Sequence, residues 1–91
     1  MTVTIEYTTL VRRVTGIARE QVEFPEPAPL SAVLDQALCR HADLAGLLQT
    51  ANGDWQPTLM VFVNDQQVRP DEVSSISSGD IVTLMLPVSG G

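Results

Sequence analysis

Lysine is absent from this 91-residue sequence, and five arginines stand against eleven acidic residues, so the formal net charge is −6. An acidic surface of this kind repels phosphate backbones and anionic membranes. The composition therefore argues against binding to nucleic acid or to a membrane surface. It favours docking onto a basic surface of another protein.

Cysteine and long apolar runs are also scarce. The single cysteine, Cys39, excludes an internal disulfide, a multi-cysteine zinc site and a plant-type iron–sulfur cluster, and it favours a reducing compartment. No apolar run reaches membrane-spanning length, and the first six residues alternate like a strand instead of resembling a signal peptide. We expect a cytoplasmic protein.

Apolar and polar residues alternate at the start of the chain, which predicts strands. Val3, Ile5 and Tyr7 form one alternating set, and residues 21–24 form a second that Pro25 ends. Residues 10–16 are interpreted as a long hairpin connection between them. Further on, apolar residues recur at helical spacing from Leu30 to Leu38, which predicts an amphipathic helix.

The second half of the chain predicts further strands around that helix. Asp43 is interpreted as the N-cap of a short helical turn, and a polar loop covers residues 50–57. Strands are predicted over residues 58–63, 67–69 and 81–86, the last so apolar that we expect it to be central and covered on both faces. The pattern predicts an α+β fold of the β-grasp (ubiquitin-like) type, with a mixed sheet packed across one main helix. Residues 1–91 are then one domain with a flexible tail over residues 87–91.

Few residues are candidates for chemistry within this body. His41 is interpreted as a boundary residue at a helix C-terminus, and Cys39 as an exposed thiol without a partner base. Trp55 is either an anchor for a partner or a side chain folded back on the sheet edge, and Asp71-Glu72 is interpreted as solvated surface. No catalytic triad, phosphate loop or metal cluster is recognisable in the sequence, so we expect a carrier or co-substrate and not an enzyme.

The sequence ends in Gly90-Gly91. Glycine has no Cβ, so two in a row can pass through a narrow channel and present a terminal carboxylate inside another protein. The alternative is an inert, frayed end. A carboxylate is a poor electrophile, so chemistry at Gly91 requires activation by a partner, most simply by ATP to an acyl-adenylate.

Segments along the whole chain resemble the MoaD/ThiS family of ubiquitin-like sulfur carriers. The most specific are the Val63-Asn64 turn, Gly79-Asp80 before the last strand and the Pro-Val-Ser-Gly-Gly ending at residues 87–91. Two features depart from the family pattern. Pro29 replaces a helix-capping threonine, and the loop over residues 50–57 is longer than in the shortest members.

The resemblance implies a carrier cycle that starts at Gly91. A ubiquitin-activating-like adenylyltransferase would use ATP to adenylate its carboxylate, and a persulfide donor would convert it to a thiocarboxylate. The resemblance implies that the carrier itself would bind no cofactor. Val88, Ser89 and Gly90 would form the tail that inserts into partners, and Met60, Phe62 and Met85 would form an outer apolar face for docking.

Several functions remain open under this resemblance. We favour the small subunit of a molybdopterin synthase in molybdenum cofactor biosynthesis, whose partner is a large acceptor subunit. The alternatives are a carrier for cysteine or another thio-metabolite, a protein modifier that forms isopeptide bonds through Gly91, and an inert interaction domain. The absence of lysine either protects an activated terminus from self-conjugation or reflects a mutational bias towards arginine.

Overall fold

The computed structural model describes residues 1–87, so the predictions for Val88, Ser89, Gly90 and Gly91 lie outside the described residues. In chain order, the elements are β1 (Thr2–Thr8), α1 (Thr9–Thr15), β2 (Arg19–Glu23), β3 (Ala28–Pro29), α2 (Leu30–Arg40), α3 (Leu44–Leu48), β4 (Met60–Val63), β5 (Gln66–Val68), β6 (Ser75–Ile76) and β7 (Ile81–Leu86). None of the helices in residues 1–87 is long and apolar enough to cross a membrane.

Five of the strands form one sheet in the order β2-β1-β7-β4-β5. The first and last strands, β1 and β7, run parallel at its centre, and their neighbours β2 and β4 pair antiparallel with them. The strands β3 and β6 form a separate two-stranded ladder. This mixed sheet with helices on one side confirms the predicted α+β, β-grasp architecture.

The core lies between the sheet and α2. In β1, Val3, Ile5 and Tyr7 are at most 1% exposed while the alternating residues are half-buried, as a strand with one covered face requires. The predicted helix is confirmed as α2, and its apolar stripe packs into the same core. This stripe consists of Leu30, Val33, Leu34 and Ala37.

The connection between β1 and β2 differs from the expected hairpin loop because it contains the helix α1. Gly16 ends this helix at φ 78°, and its backbone N–H donates a 2.8 Å hydrogen bond to the carbonyl of Arg12. Glycine adopts this left-handed cap without steric cost. The helix is only two turns long and buries Val11, so its apolar periodicity is too short to be distinctive.

One further expectation was wrong, and another is confirmed only in part, since the short helix α3 forms after Asp43 as predicted. The last strand, β7, is not covered on both faces, because Val82, Leu84 and Leu86 are buried while Thr83 and Met85 are half-exposed. Buried and exposed residues alternate along β7, but the outer residues Ile81 and Met85 are also apolar, so the sequence does not show this alternation. Asp43 stands at the N-terminus of α3 but makes no side-chain capping bond, since its backbone is already helical at φ −72° and ψ −14°.

Candidate functional site

The end of β7 is held in place by two threonines at the junction of β1 and α1. Thr8 donates a 3.1 Å hydrogen bond from Oγ1 to the carbonyl of Leu84, and Thr9 donates one of 2.8 Å to the carbonyl of Leu86. Leu86 is only 7% exposed, whereas Pro87 is exposed. The last described residues therefore pass from the core to the surface at an anchored point.

The anchoring of β7 was not predicted from the sequence, because α1 was interpreted as loop. Its only sequence signal is Gly16, which is typical of a residue just past a helix C-terminus. The predicted reactive residue Gly91 and the predicted tail residues Val88, Ser89 and Gly90 follow this point, outside the described residues. Their roles stay predictions.

Met60, Phe62 and Met85 share the face of the sheet opposite the core. Met60 lies directly across from Met85, and Phe62 lies across from Thr83. Their chain neighbours Val61 and Leu84 are fully buried on the other face, so the period of two places all three outward. Each is half-exposed, and their role in docking remains a prediction.

The other half of this outer face is polar. Glu6 accepts a 3.1 Å hydrogen bond from Thr83 and forms an ion pair of 3.8 Å with Arg19. Because Arg19 is 69% exposed, solvent screens the pair and it adds little stability. An apolar area on β4 and β7 therefore borders a charged, hydrated area on β1 and β2.

Tyr7, Glu20 and His41 form the most tightly connected polar cluster of the described residues. Glu20 Oε2 accepts the hydroxyl of Tyr7 at 2.5 Å and lies 2.6 Å from His41 Nε2, while Arg40 binds the other oxygen at 3.2 Å. The rings of Tyr7 and His41 meet edge to face with centroids 5.3 Å apart. The cluster ties β1 and β2 to the C-terminal end of α2.

Two pKa values in this cluster move away from their ordinary range. Burial, with the hydrogen bond to the Glu20 carboxylate and its charge, raises the pKa of Tyr7. Burial alone would raise the pKa of Glu20, but hydrogen bonds from Tyr7 and His41 and the charges of His41 and Arg40 hold it below its usual value. These groups face inward across the sheet–helix boundary, so we assign them to the fold. His41 is the boundary residue that the sequence predicts.

The remaining candidates are dispersed over the surface. Cys39 is exposed, and residues 1–87 contain no group of three or more His, Cys, Asp and Glu side chains placed to hold a metal. Trp55 folds back, packing on the core and bridging to Gln49. Asp71 is 61% exposed and pairs with Arg69 at 3.0 Å, so its assignment to solvated surface is correct.

Comparisons with known proteins agree with this architecture. A model of the ThiS family matches residues 5–91 of this chain. The molybdopterin synthase sulfur carrier subunit of Chlamydomonas reinhardtii is 25% identical over 91 residues, with 100% of each chain covered. The crystal structure of SAMP1 from Haloferax volcanii covers 100% of both chains at 22% identity and a TM-score of 0.87. The crystal structure of the BexX/CysO complex from Amycolatopsis orientalis covers 98% of this chain and 99% of that chain, at 28% identity and a TM-score of 0.70.

Proposed function

This chain belongs to the ThiS family of ubiquitin-like sulfur carriers, and from that membership we propose that Gly91 carries the transferred sulfur as a C-terminal thiocarboxylate. In this proposal the chain is a co-substrate, and its partners are the catalysts. The observation that carries it is that the family match continues through the glycine pair to residue 91. The alignment with the algal sulfur carrier subunit covers all 91 residues and therefore also includes Gly91.

The geometry of β7 supports this role. A carrier must present a terminal residue to successive partners while its body keeps its shape. Leu86 is buried and hydrogen-bonded through Thr9, whereas Pro87 is exposed. Within residues 1–87, Leu86 is therefore the last residue that packs into the core.

The proposed chemistry proceeds in two steps on partner enzymes. The Gly91 carboxylate attacks the α-phosphorus of ATP, which forms the acyl-adenylate and releases pyrophosphate. The terminal sulfur of a donor persulfide then attacks the carbonyl carbon and AMP leaves. A second thiol of the donor cleaves the resulting acyl disulfide at its sulfur–sulfur bond, leaving the thiocarboxylate on Gly91. Sulfide would displace AMP directly to give the same product.

We further propose that partners contact the outer apolar face formed by Met60, Phe62 and Met85. These side chains are half-exposed on β4 and β7, and β7 is the strand that leads to the tail. Methionine side chains are flexible and polarisable, so they adapt to more than one partner surface. The solved BexX/CysO complex supports a carrier that assembles with a partner protein.

For the acceptor, we favour molybdopterin synthase, with this chain as its small subunit. The support is the full-length match to a relative of that name. A carrier for cysteine or another thio-metabolite is the second candidate, favoured by the 28% identity to CysO in the solved complex. The two candidates differ in the acceptor protein and share all chemistry at Gly91.

Intact-mass spectrometry tests the central proposal. The chain is incubated with its adenylyltransferase, ATP and a sulfide source, with an assay lacking ATP as the control. We expect a mass gain equal to one sulfur replacing one oxygen, located at Gly91 by fragmentation and absent without ATP. An unchanged mass in the presence of an active adenylyltransferase contradicts the proposal. Adducts to lysines of other proteins would support a protein modifier instead.

Reconstitution with an acceptor then separates the two pathways. The thiocarboxylated chain is mixed with the large subunit of a molybdopterin synthase and its sulfur-free pterin substrate. Loss of sulfur from Gly91 together with formation of the dithiolene supports the favoured acceptor. Retention of the thiocarboxylate contradicts it and leaves the second candidate.

A further inference from the structure

An open groove lies at the edge of the five-stranded sheet, between the loop that precedes β4 and the segment that follows β5. It has a volume of about 890 Å³, and residues within 53–59 and 67–72 line it. One side of the β5 backbone pairs with β4, and its other side has no partner strand among residues 1–87. The groove therefore adjoins a free strand edge.

The floor of this edge groove is apolar. Leu59 is 5% exposed and belongs to the core, while Trp55 and Val68 are half-buried and packed against it. Pro57 and Pro70 add two rigid rings to the lining. A tryptophan with one side on the core and the other accessible is typical of a site that receives an apolar side chain from a partner.

The rim of the edge groove is acidic. Asp54, Asp71 and Glu72 line it together with one cation, Arg69, so three carboxylates and one guanidinium leave a formal charge of −2. Arg69 is engaged by Asp71 at 3.0 Å. No cation among residues 1–87 pairs with Asp54 or Glu72. The negative rim over an apolar floor is complementary to a segment that carries both arginine or lysine and an apolar residue.

We propose that the edge groove docks a short, extended, basic peptide segment of a partner protein, which pairs with the free edge of β5. An extended segment adds to a strand edge through main-chain hydrogen bonds, and its side chains alternate between the two faces. One apolar side chain then contacts Trp55, and the basic side chains on either side lie beside Asp54 and Glu72. Pro70 has no amide hydrogen, so the pairing ends at Arg69 and the docked segment is only a few residues long.

This docking surface goes beyond the proposed carrier function. Val68 lies across from buried Val61, and Gln67 lies across from Phe62, so the apolar floor is on the opposite side of the sheet from Phe62. The edge strand β5 is also two strands away from β7, or about 10 Å. A bound segment therefore leaves the outer apolar face and the start of the tail accessible.

Trp55 provides a direct measurement, because it is the only tryptophan of the chain. The probe is a blocked hexapeptide that alternates arginine and valine, titrated into the whole protein at low ionic strength while tryptophan emission is recorded. We expect a saturable change in emission, together with NMR shifts of the backbone amides of residues 66–72. The same peptide with glutamate in place of arginine should produce neither. An emission unaffected by the arginine peptide would overturn the proposal.

Charge-neutralising variants test whether the edge groove is the binding site. The triple substitution Asp54→Asn, Asp71→Asn and Glu72→Gln removes the acidic rim, and all three residues are exposed, so the fold should be retained. We expect the arginine peptide to bind about tenfold more weakly, and added salt to have less effect on this variant than on the original protein.

The matched control neutralises three exposed acids that do not line the edge groove. The substitutions Glu26→Gln, Asp35→Asn and Asp43→Asn change the net charge by the same amount. Peptide affinity should stay within about twofold of the original. Equal weakening in both triple variants would show general charge attraction and overturn the proposal. Sedimentation that reveals a dimer abolished by the rim substitutions would also overturn it, in favour of a second copy of this chain as occupant.

Discussion

Asn64 donates a 2.9 Å hydrogen bond from Nδ2 to Oδ1 of Asp80, a residue sixteen positions later in the chain. The side-chain oxygen of Asn64 accepts the backbone N–H of Ile81, and the backbone N–H of Asn64 donates to the carbonyl of Ile81, both at 2.9 Å. Asp80 in turn accepts the amide of Ser77 at 2.8 Å. The turn after β4 and the turn before β7 are therefore one hydrogen-bonded unit. They contain two of the sequence segments that carry the family resemblance.

Substitution of Asn64 tests the contribution of this unit to stability. Asn64→Ala removes both side-chain hydrogen bonds and places alanine at φ 50°, a left-handed conformation that asparagine tolerates better. We expect it to lower the free energy of unfolding by about 1–3 kcal/mol, measured by urea denaturation. Asn64→Gly removes the same bonds without the conformational cost, so it should lose less. A glycine variant as stable as the original would show that these bonds contribute nothing.

The stability of the protein should decline at acidic pH because of Glu20. Its pKa is lowered in the folded state, so its contribution is present above the unfolded pKa of about 4.3 and is lost as pH falls through the lower folded value. Glu20→Gln should cost about 1–2 kcal/mol at neutral pH, since hydrogen bonds to a carboxylate are stronger than those to an amide.

The difference in the free energy of unfolding between the original protein and Glu20→Gln should become smaller as pH falls, because the glutamine has no group that protonates at this position. Urea unfolding at a series of pH values measures it. The matched control is Glu26→Gln, an exposed residue whose substitution should leave the profile unchanged. A constant difference between the original and Glu20→Gln down to the lowest pH would contradict the assignment.

The outer apolar face should matter for partner binding more than for folding. We expect Met60→Gln combined with Met85→Gln to weaken binding to the adenylyltransferase about tenfold. Replacing an apolar side chain at the centre of an interface with a polar one can reduce the binding free energy by more than about 1 kcal/mol. Isothermal titration measures the affinity. Val73→Asn is the control, since Val73 is fully exposed and lies elsewhere on the surface. Equal affinities for the control and the double variant would exclude this face as the docking site.

Changes at Gly91 should affect sulfur loading without affecting the stability of the fold. Deleting Gly91, or adding residues after it, should abolish thiocarboxylate formation because the activating site then receives a misplaced carboxylate. The free energy of unfolding should change by less than about 0.5 kcal/mol, since the sheet ends at Leu86 and surface changes are usually this small. Mass spectrometry and urea denaturation are the two measurements. Normal sulfur loading of either variant would contradict the role assigned to Gly91.

Long periodic segments were predictable from the sequence, whereas several of the short elements were not. The alternation in β1 and the helical spacing in α2 repeat often enough to exclude other structures. In contrast, β3 and β6 contain two residues each, too few for any period. The helix α1 was missed for the same reason. These short elements exist because tertiary neighbours satisfy their backbone groups, as when Ala28 pairs with Ile76.

The sequence of β7 also did not reveal which of its residues are buried. Its residues are almost all apolar, so the sequence alone favoured burial on both faces. The structure covers only one face, because the helices pack on a single side of the sheet. Met85 and Ile81 are therefore partly exposed, which makes the outer apolar face possible.

The sequence by itself determined the acidic composition, the β-grasp order of strands and helix, and the Gly90-Gly91 pair on which the proposed chemistry depends. These depend on composition and on local periodicity. Only the tertiary structure decided that Thr9 anchors Leu86, that Glu20 joins Tyr7 to His41, and that Trp55 lines a groove beside β5. Each of these contacts joins residues from different elements, so it depends on non-local register and packing, which a pattern read along one chain does not specify.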